Sequence, residues 1–363
     1  VAARSTPLAL PLHVAVERSS VRVGETARVW VHSGLLDQPV FVNFYRSGGG
    51  CNNTGEIADV MQHEWGHGLD GNTRGGDSAT GEGTADHVAM MITHSSIIGP
   101  YFRVSGSGVR QLDKALDPKG TLTRSNATTL CGTGSCSGPL GRECHCEGEI
   151  YGQTGWDLAQ ALVAKHGPNT GWWEHERIFF NSLAQAGTYT PNQADSIYDA
   201  YLAADDDNGN LADGTPNGAE IYNAFNTHGI AGTARSSSAG CTRPAQPVVS
   251  LSRACNGITV TWNSISGASQ YKISRRFGTS AAFLPVATVS TTSYTDTEVS
   301  ADLTYEYVVQ AVSSANCHSK LDNAVSIGGP QRPEPRRRAA LAQFPGAQPR
   351  AFRGSDAPLP AFA

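Results

Sequence analysis

The sequence predicts an α+β protein in which strands come first, a mainly helical lobe follows, and an all-β sandwich lies towards the C-terminus. Three observations carry that expectation. Residues 11–45 alternate apolar and polar side chains, the period of a half-buried strand. Between about 57 and 230, apolar residues recur three and four apart, as on one face of a helix. From 245 to 329 the chain returns to short alternating runs divided by turn residues, at intervals suited to a sandwich.

Taken in order, the first strands are expected at Leu12-His13-Val14-Ala15-Val16, Val21-Arg22-Val23, Ala27-Arg28-Val29-Trp30-Val31 and Val40-Phe41-Val42-Asn43-Phe44. The turn Gly48-Gly49-Gly50 closes this segment. Helices are then expected through Ile57, Val60, Met61, Trp65 and Leu69, through Ile150, Trp156, Leu158, Ala161 and Leu162, and through Ile197, Tyr198, Tyr201 and Leu202. The Ser-, Gly- and Ala-rich stretch 231–240 reads as a linker. Strands resume at Gly257–Trp262 and Tyr305–Val309. Beyond residue 330 the chain is rich in Ala, Pro and Arg, with Arg336-Arg337-Arg338 as a run. It offers too little apolar surface to offset ordering entropy, so a disordered tail is expected. The domains are therefore 1–45 (strand-rich), 46–235 (helical, site-bearing), 241–329 (sandwich) and 330–363 (tail).

A net charge of -5 with no basic stripe argues against a nucleic-acid partner. No apolar run approaches the ~18 residues of a membrane-spanning helix. The opening Val-Ala-Ala-Arg, without Met or a signal-peptide core, is read as that of a processed chain. Eight cysteines beside three methionines suit an oxidising compartment, hence a secreted protein. Two readings compete for Cys131, Cys136, Cys144 and Cys146: disulfides, or a zinc knot that includes His145. Cys144 and Cys146 lie too close in sequence to bridge each other, so each is expected to pair elsewhere. By parity, Cys255 and Cys317 would close the sandwich and Cys241 would pair with a cysteine of the helical lobe.

The segment His63-Glu64-Trp65-Gly66-His67 concentrates the chemistry. On a helix, side chains four apart stand one above the other, so both imidazoles can face one zinc ion at ~2.0–2.1 Å. Glu64 lies about 100° round the helix from His63, where its carboxylate can take a proton from a zinc-activated water without ligating. A catalytic zinc needs a third protein ligand. Glu82 and Asp86 share a helix face, so that one can ligate while the other accepts a hydrogen bond from an imidazole.

Zinc-peptidase patterns narrow the choice. Asp70 and Thr73 stand where a metzincin needs Gly and His or Asp. Gly83-Thr84-Ala85-Asp86 matches the first half of the aspzincin pattern, but Ala89-Met90 breaks the second. What remains resembles the gluzincins, and among them the fungalysin and thermolysin-like group. The likeness runs from about Asn43 to Gly229 through Asn43-Phe44-Tyr45, Gly50–Thr54, His63–Asp70, Gly81–Asp86, Gly148–Tyr151 and Trp156-Asp157-Leu158. The resemblance implies a zincin-like fold with a mainly helical C-terminal lobe and secreted endopeptidase activity on protein or peptide substrates. It also implies Glu82 as the third ligand, with Asp86 hydrogen-bonded to a ligating imidazole. His145, opening a helix before Gly148 and Ile150, resembles the histidine that stabilises the tetrahedral oxyanion in that group; the other reading is a histidine in a disulfide-rich loop. The Asn-Ala-Phe/Tyr-Trp strand that aligns substrate in the family is not visible upstream of residue 43.

Trp262, Tyr271, Tyr294-Thr295-Asp296 and Tyr305-Glu306-Tyr307 resemble a fibronectin type III domain, which suggests binding to a surface or polymer. A second function class is therefore an extracellular binding or adhesion protein with a degenerate peptidase lobe. Asp205-Asp206-Asp207-Asn208-Gly209-Asn210 with Asp213 could ligate calcium or form an Asx-rich helix connector. Ala204 falls on the first ligand place of an EF-hand register, which favours the connector.

Overall fold

The computed structural model describes residues 12–16, 29–33, 51–52, 54, 57–73, 78–106, 108–183, 194–254, 256–277, 282–300 and 303–328. Val1–Pro330 group as one compact unit and Gln331–Ala363 as another. The expected strands at 21–23 and 40–44, the triple-glycine turn, Cys255 and the tail all lie outside the described residues.

Two of the N-terminal strands are present. Strand β1 (Leu12–Val16) pairs antiparallel with β2 (Val29–Ser33), and β1 runs beside helix α1 (Ala58–Thr73). Helix α1 packs on α2 (Ser78–Thr93) at very short range, because a Cβ on Gly66 would stand 2.5 Å from the Ala85 Cα. Only glycine permits that crossing, which brings the turn carrying His63 and His67 over the turn carrying Glu82 and Asp86.

A small hairpin follows, β3 (Ile97–Ile98) with β4 (Arg110–Gln111). It is tied to the start of α1 by the Gly99 amide, which donates to Asp59 Oδ2 at 2.7 Å. After the short α3 (Ala127–Leu130) come α4 (Cys144–His166), α5 (Pro168–Leu183), α6 (Ala194–Asp205) and α7 (Gly218–Thr227). These helices enclose one apolar core that includes Met90, Met91, Ile150, Leu158, Phe179, Tyr198, Tyr201 and Phe225.

The C-terminal region is a seven-stranded antiparallel sandwich. Strands β5 (Val249–Ala254), β6 (Gly257–Trp262) and β9 (Ser293–Asp296) form one sheet. The other has the order β11-β10-β7-β8, from Val325–Gly328, Thr304–Ser313, Ala268–Phe277 and Leu284–Val289. Its core is built from Ile258, Val260, Trp262, Tyr271, Ile273, Tyr305, Tyr307 and Val309, so the aromatic residues noted in the sequence pack inward. The whole is α+β: a helical region followed by antiparallel sheets resembling a fibronectin type III sandwich.

Two expectations need correcting. Cys241 pairs with Cys317, within the C-terminal region, rather than with a cysteine of the helical lobe. The physical reason is the path of the linker: Arg243, two residues on, donates to the His318 carbonyl at 3.3 Å, so the chain runs past the β10–β11 connection. Secondly, Cys317 takes Cys241 rather than Cys255 as its partner. The sandwich also reaches the helical core. Ala282 and Leu284 belong to the helical core, and the Leu321 amide donates to Thr170 Oγ1 of α5 at 2.9 Å in a buried bond.

Candidate metal centre

The crossing of α1 and α2 gathers three of the residues singled out in the sequence. His63 Nε2 and His67 Nε2 are 3.1 Å apart. Glu82 Oε2 lies 3.3 Å from His63 Nε2, and Glu82 Oε1 lies 3.5 Å from His67 Nε2. Ligand atoms around a tetrahedral zinc at ~2.0–2.1 Å stand ~3.4 Å from one another. The spacing of the three groups therefore fits one small ion. Glu82 Oε2 is buried without a well-aligned hydrogen bond, and the cations facing it are His63, 3.3 Å away, and Arg110, 3.5 Å away.

Asp86 is fully buried one turn beyond Glu82, and its Oδ1 lies 2.8 Å from His63 Nδ1. An imidazole donating there presents its Nε2 lone pair to the site, so the two carboxylates have different tasks. Glu64 is exposed, and its charge acts on His67.

Arg110 drew no attention in the sequence. Carried by β4 and 8% exposed, it donates from Nε to Asp86 Oδ2 at 2.8 Å and from Nη2 to Asp86 Oδ1 at 2.6 Å. The same Nη2 is 3.2 Å from His63 Nδ1 and 3.5 Å from Glu82 Oε2. This two-pronged grip fixes the Asp86 carboxylate and offsets its charge in a dry setting. A lone arginine in a segment without periodicity gives no sequence signal; its partner lies on another element, 24 positions away.

Electrostatics follow from this packing. Burial opposes charge on His63, yet the Asp86 and Glu82 carboxylates outweigh it and raise its pKa to about 9. Burial, aided by the His63 charge, lowers that of His67. Burial also works against the Asp86 carboxylate, but Arg110 and His63 hold it well below the usual range. The proton kept by His63 is one that an incoming metal ion must displace.

His145 opens α4 and reaches the same site, with Nε2 3.2 Å from Glu82 Oε1. Its Nδ1 lies 2.5 Å from Glu143 Oε1, while Glu143 Oε2 caps the helix by accepting from the Cys146 amide at 3.0 Å. Two disulfides, Cys131–Cys146 and Cys136–Cys144, flank this turn. The four cysteines are thus paired rather than gathered into a zinc knot, and Cys144 and Cys146 do not bridge each other. Beneath the site, burial pushes Glu149 of α4 up to about 8, with Lys119 pulling the other way from 2.9 Å.

The Asp205–Asp213 loop binds its own chain. Asp205 is held by Arg177 and by the Asn217 amide, Asp206 accepts from the Gly209 amide, and Asn210 caps the 3-10 turn Leu211–Asp213. These are the contacts of a helix connector.

No family model and no curated protein matches the chain. Among solved structures, an Fn3-like protein from Clostridium thermocellum is 30% identical over 26% of this chain and 97% of that chain, with a TM-score of 0.21. The structure titled FN3tt is 21% identical over 26% of this chain and 100% of that chain, TM-score 0.22. A pectate lyase from Erwinia chrysanthemi in complex with tetragalacturonic acid is 22% identical over 23% of this chain and 28% of that chain, TM-score 0.21. The C-terminal β region is thus similar to Fn3-like domains, and the chain spans under a third of the pectate lyase. The sandwich itself is identified by its own three-on-four strand order.

Proposed function

We propose that this protein is a secreted zinc-dependent endopeptidase of the gluzincin type. The observation that carries the reading is the approach of His63 Nε2, His67 Nε2 and the Glu82 carboxylate to 3.1–3.5 Å of one another. His63, His67 and Glu82 would hold the ion. Asp86 fixes the tautomer of His63, and Arg110 fixes Asp86. Zinc, when bound, supplies Lewis acidity that brings the pKa of water towards ~7 and polarises a peptide carbonyl.

The remaining steps belong to side chains of this chain. Glu64 is exposed, adjacent in sequence to the ligand His63, and free to take a proton from the attacking water. His145 directs Nε2 towards the site from the opposite helix, where an N–H meets the charge that develops on the carbonyl oxygen. Glu143 orients that ring. Three disulfides among the described residues suit an extracellular setting, and no helix there is long and apolar enough to cross a membrane.

Metal analysis and casein digestion test the proposal together. One zinc per chain is expected, with hydrolysis abolished by a chelator and restored by adding zinc back. Casein hydrolysis that persists in metal-free protein would overturn it. A zinc-loaded chain that cleaves no peptide would point instead to the binding-protein reading.

A further inference from the structure

The first turn of α4 holds a second group of metal-ligating side chains, in which His145 and Glu143, already given roles in the peptidase reading, stand beside two sulfurs that it does not use. One ligand atom from each of Cys136, Glu143, Cys144 and His145 lies within 4.8 Å of the others. Cys136 Sγ is 3.7 Å from His145 Nδ1, and Cys144 Sγ is 3.6 Å from the same nitrogen. Cys136 Sγ is 3.4 Å from Glu143 Oε1. Around a tetrahedral zinc with Zn–S of ~2.3 Å and Zn–N or Zn–O of ~2.0–2.1 Å, such pairs stand ~3.5 Å apart. The sulfur-to-nitrogen and sulfur-to-oxygen spacings already suit an ion. What prevents one from entering is the covalent bond between the two sulfurs.

We propose that this cap is a redox-gated metal site. When Cys136–Cys144 is opened, Cys136, Cys144, His145 and Glu143 together bind one thiophilic divalent cation such as zinc. A dithiol reductant supplies the two electrons: its thiolate attacks one sulfur, and its second thiol resolves the mixed disulfide. That leaves two protein thiols and an oxidised, cyclic reductant. The thiols lose their protons as the ion binds. The sulfurs then part to ~3.8 Å, and the contact between Glu143 and His145 lengthens by about 1 Å.

The backbone around the site does not depend on the bond that opens. The Glu143 amide donates to Gly132 O at 2.9 Å and the Gly138 amide to Arg142 O at 2.8 Å, so the loop bearing Cys136 stays opposite the cap. Glu147, fully buried, accepts from the Leu140 and Arg142 amides at 2.7 and 2.8 Å. Glu143 Oε2 remains engaged by the Cys146 amide, leaving Oε1 for the ion. Ion and disulfide exclude one another, so exchange with a disulfide oxidant, which takes up the two electrons and leaves as thiols, expels the cation and returns His145 to Glu143.

The test is cobalt titration of the full-length chain, oxidised and then reduced with dithiothreitol, with reductant removed under anaerobic conditions. Thiolate ligation gives cobalt an intense near-ultraviolet charge-transfer band that histidine and carboxylate ligands do not. The reduced chain should take up one more equivalent of cobalt than the oxidised chain and show that band. Cys136→Ser should weaken the band, the double variant Cys136→Ser, Cys144→Ser should abolish it, and Glu143→Gln should weaken cobalt binding roughly tenfold or more. Reduced protein that binds no additional cobalt, folded or not, overturns the assignment. So does a band that survives in the double variant, since cysteines freed from the other disulfides would then hold the ion. An oxidised chain that binds no cobalt would count against the peptidase site and leave this one standing.

Discussion

The helical lobe and the sandwich differ in how many of their buried polar atoms find partners: among the described residues the lobe leaves many unpartnered, the C-terminal region only Trp262 Nε1 and His318 Nδ1. In the sandwich, Asp296 accepts from Arg275 Nη1 at 2.6 Å and from Tyr307 Oη at 2.7 Å, and its other oxygen accepts from the Glu298 amide at 3.0 Å. In the lobe, Glu82 Oε2, His87 Nε2, His94 Nε2 and both ring nitrogens of His175 are buried without a hydrogen-bond partner. A satisfied network costs little and specifies packing. Unsatisfied groups cost roughly 1–3 kcal/mol each. At Glu82 the cost is offset by charge, since His63 and Arg110 stand 3.3 and 3.5 Å from the same oxygen. At His87 the reason is packing: its ring lies against Gly155, where a Cβ would come within 1.9 Å of Nε2. The two regions thus differ in degree, with more of the unpartnered polar atoms in the lobe than in the C-terminal region.

Much of this was legible because it is local. The spacing of His63 and His67, and of Glu82 and Asp86, fixes which faces they share on α1 and α2, and the helices carry them there. The alternation in 257–262 and 305–309 likewise gave strands of the sandwich. What escaped was joined across distance. Arg110 acts on Asp86 from a strand of two residues, too short for any period. The Cys241–Cys317 pair spans 76 positions and follows the linker's route, which composition does not encode. Ala282 and Leu284 look like sandwich residues in sequence, yet their side chains complete the helical core.

The largest expected effect lies in the lobe and leaves stability alone. Glu64→Gln should retain zinc and lose about 10²–10⁴-fold in turnover, the range for removing a general base. Glu82→Ala should lose the metal on dialysis. Asp86→Asn should keep it with ~10–100-fold weaker affinity or activity. Metal content and kcat read side by side separate the three. If Asp86→Asn came out metal-free while Glu82→Ala stayed loaded, the roles of the two carboxylates would be reversed.

Deleting everything after residue 245 sharpens the comparison from the other side. Every proposed catalytic residue precedes the cut, which by sequence alone suggests an intact enzyme. The shared core predicts otherwise. Losing Leu284, Ala282 and the buried Leu321–Thr170 bond should cost the lobe about 2–5 kcal/mol, roughly 10 °C in Tm. A truncated lobe that melts with the full chain would show that the two regions are independent.

Acid should act more on the lobe, where burial keeps three histidines neutral, than on the C-terminal region, where it depresses His318 to about 3. Burial depresses the folded-state pKa of His87 to about 4 and of His94 to about 3, and holds that of His175 well below its ordinary value. Unfolded, each titrates near 6.5, so the unfolded chain binds more protons below that pH. The stability contributed by the neutral rings is complete above pH ~6.5 and is lost as pH falls towards 4. His87 alone accounts for roughly 3 kcal/mol. Thermal melts between pH 7 and 4.5 followed in the far ultraviolet should show helix lost before strand. Simultaneous loss would mean that the C-terminal region titrates as strongly.

The smallest effect is expected in the sandwich, from Tyr307→Phe. The ring is fully buried and its hydroxyl donates to Asp296 Oδ2 at 2.7 Å. Phenylalanine keeps the ring packing and removes one donor. Asp296 retains Arg275 Nη1 at 2.6 Å and the Glu298 amide at 3.0 Å, so no buried charge is left unpaired. The loss should therefore be that of a single hydrogen bond to a charged acceptor, about 1.5–3 kcal/mol at most, rather than of the whole network. Asp296→Ala should cost more, because it strands the buried Arg275 cation. Neither change touches α1, α2 or α4, so kcat on casein at 25 °C should match the parent protein for both. A fall in kcat with Tyr307→Phe at unchanged Tm would mean that the sandwich reaches the site by more than the shared core, and the division between the two regions would have to be redrawn.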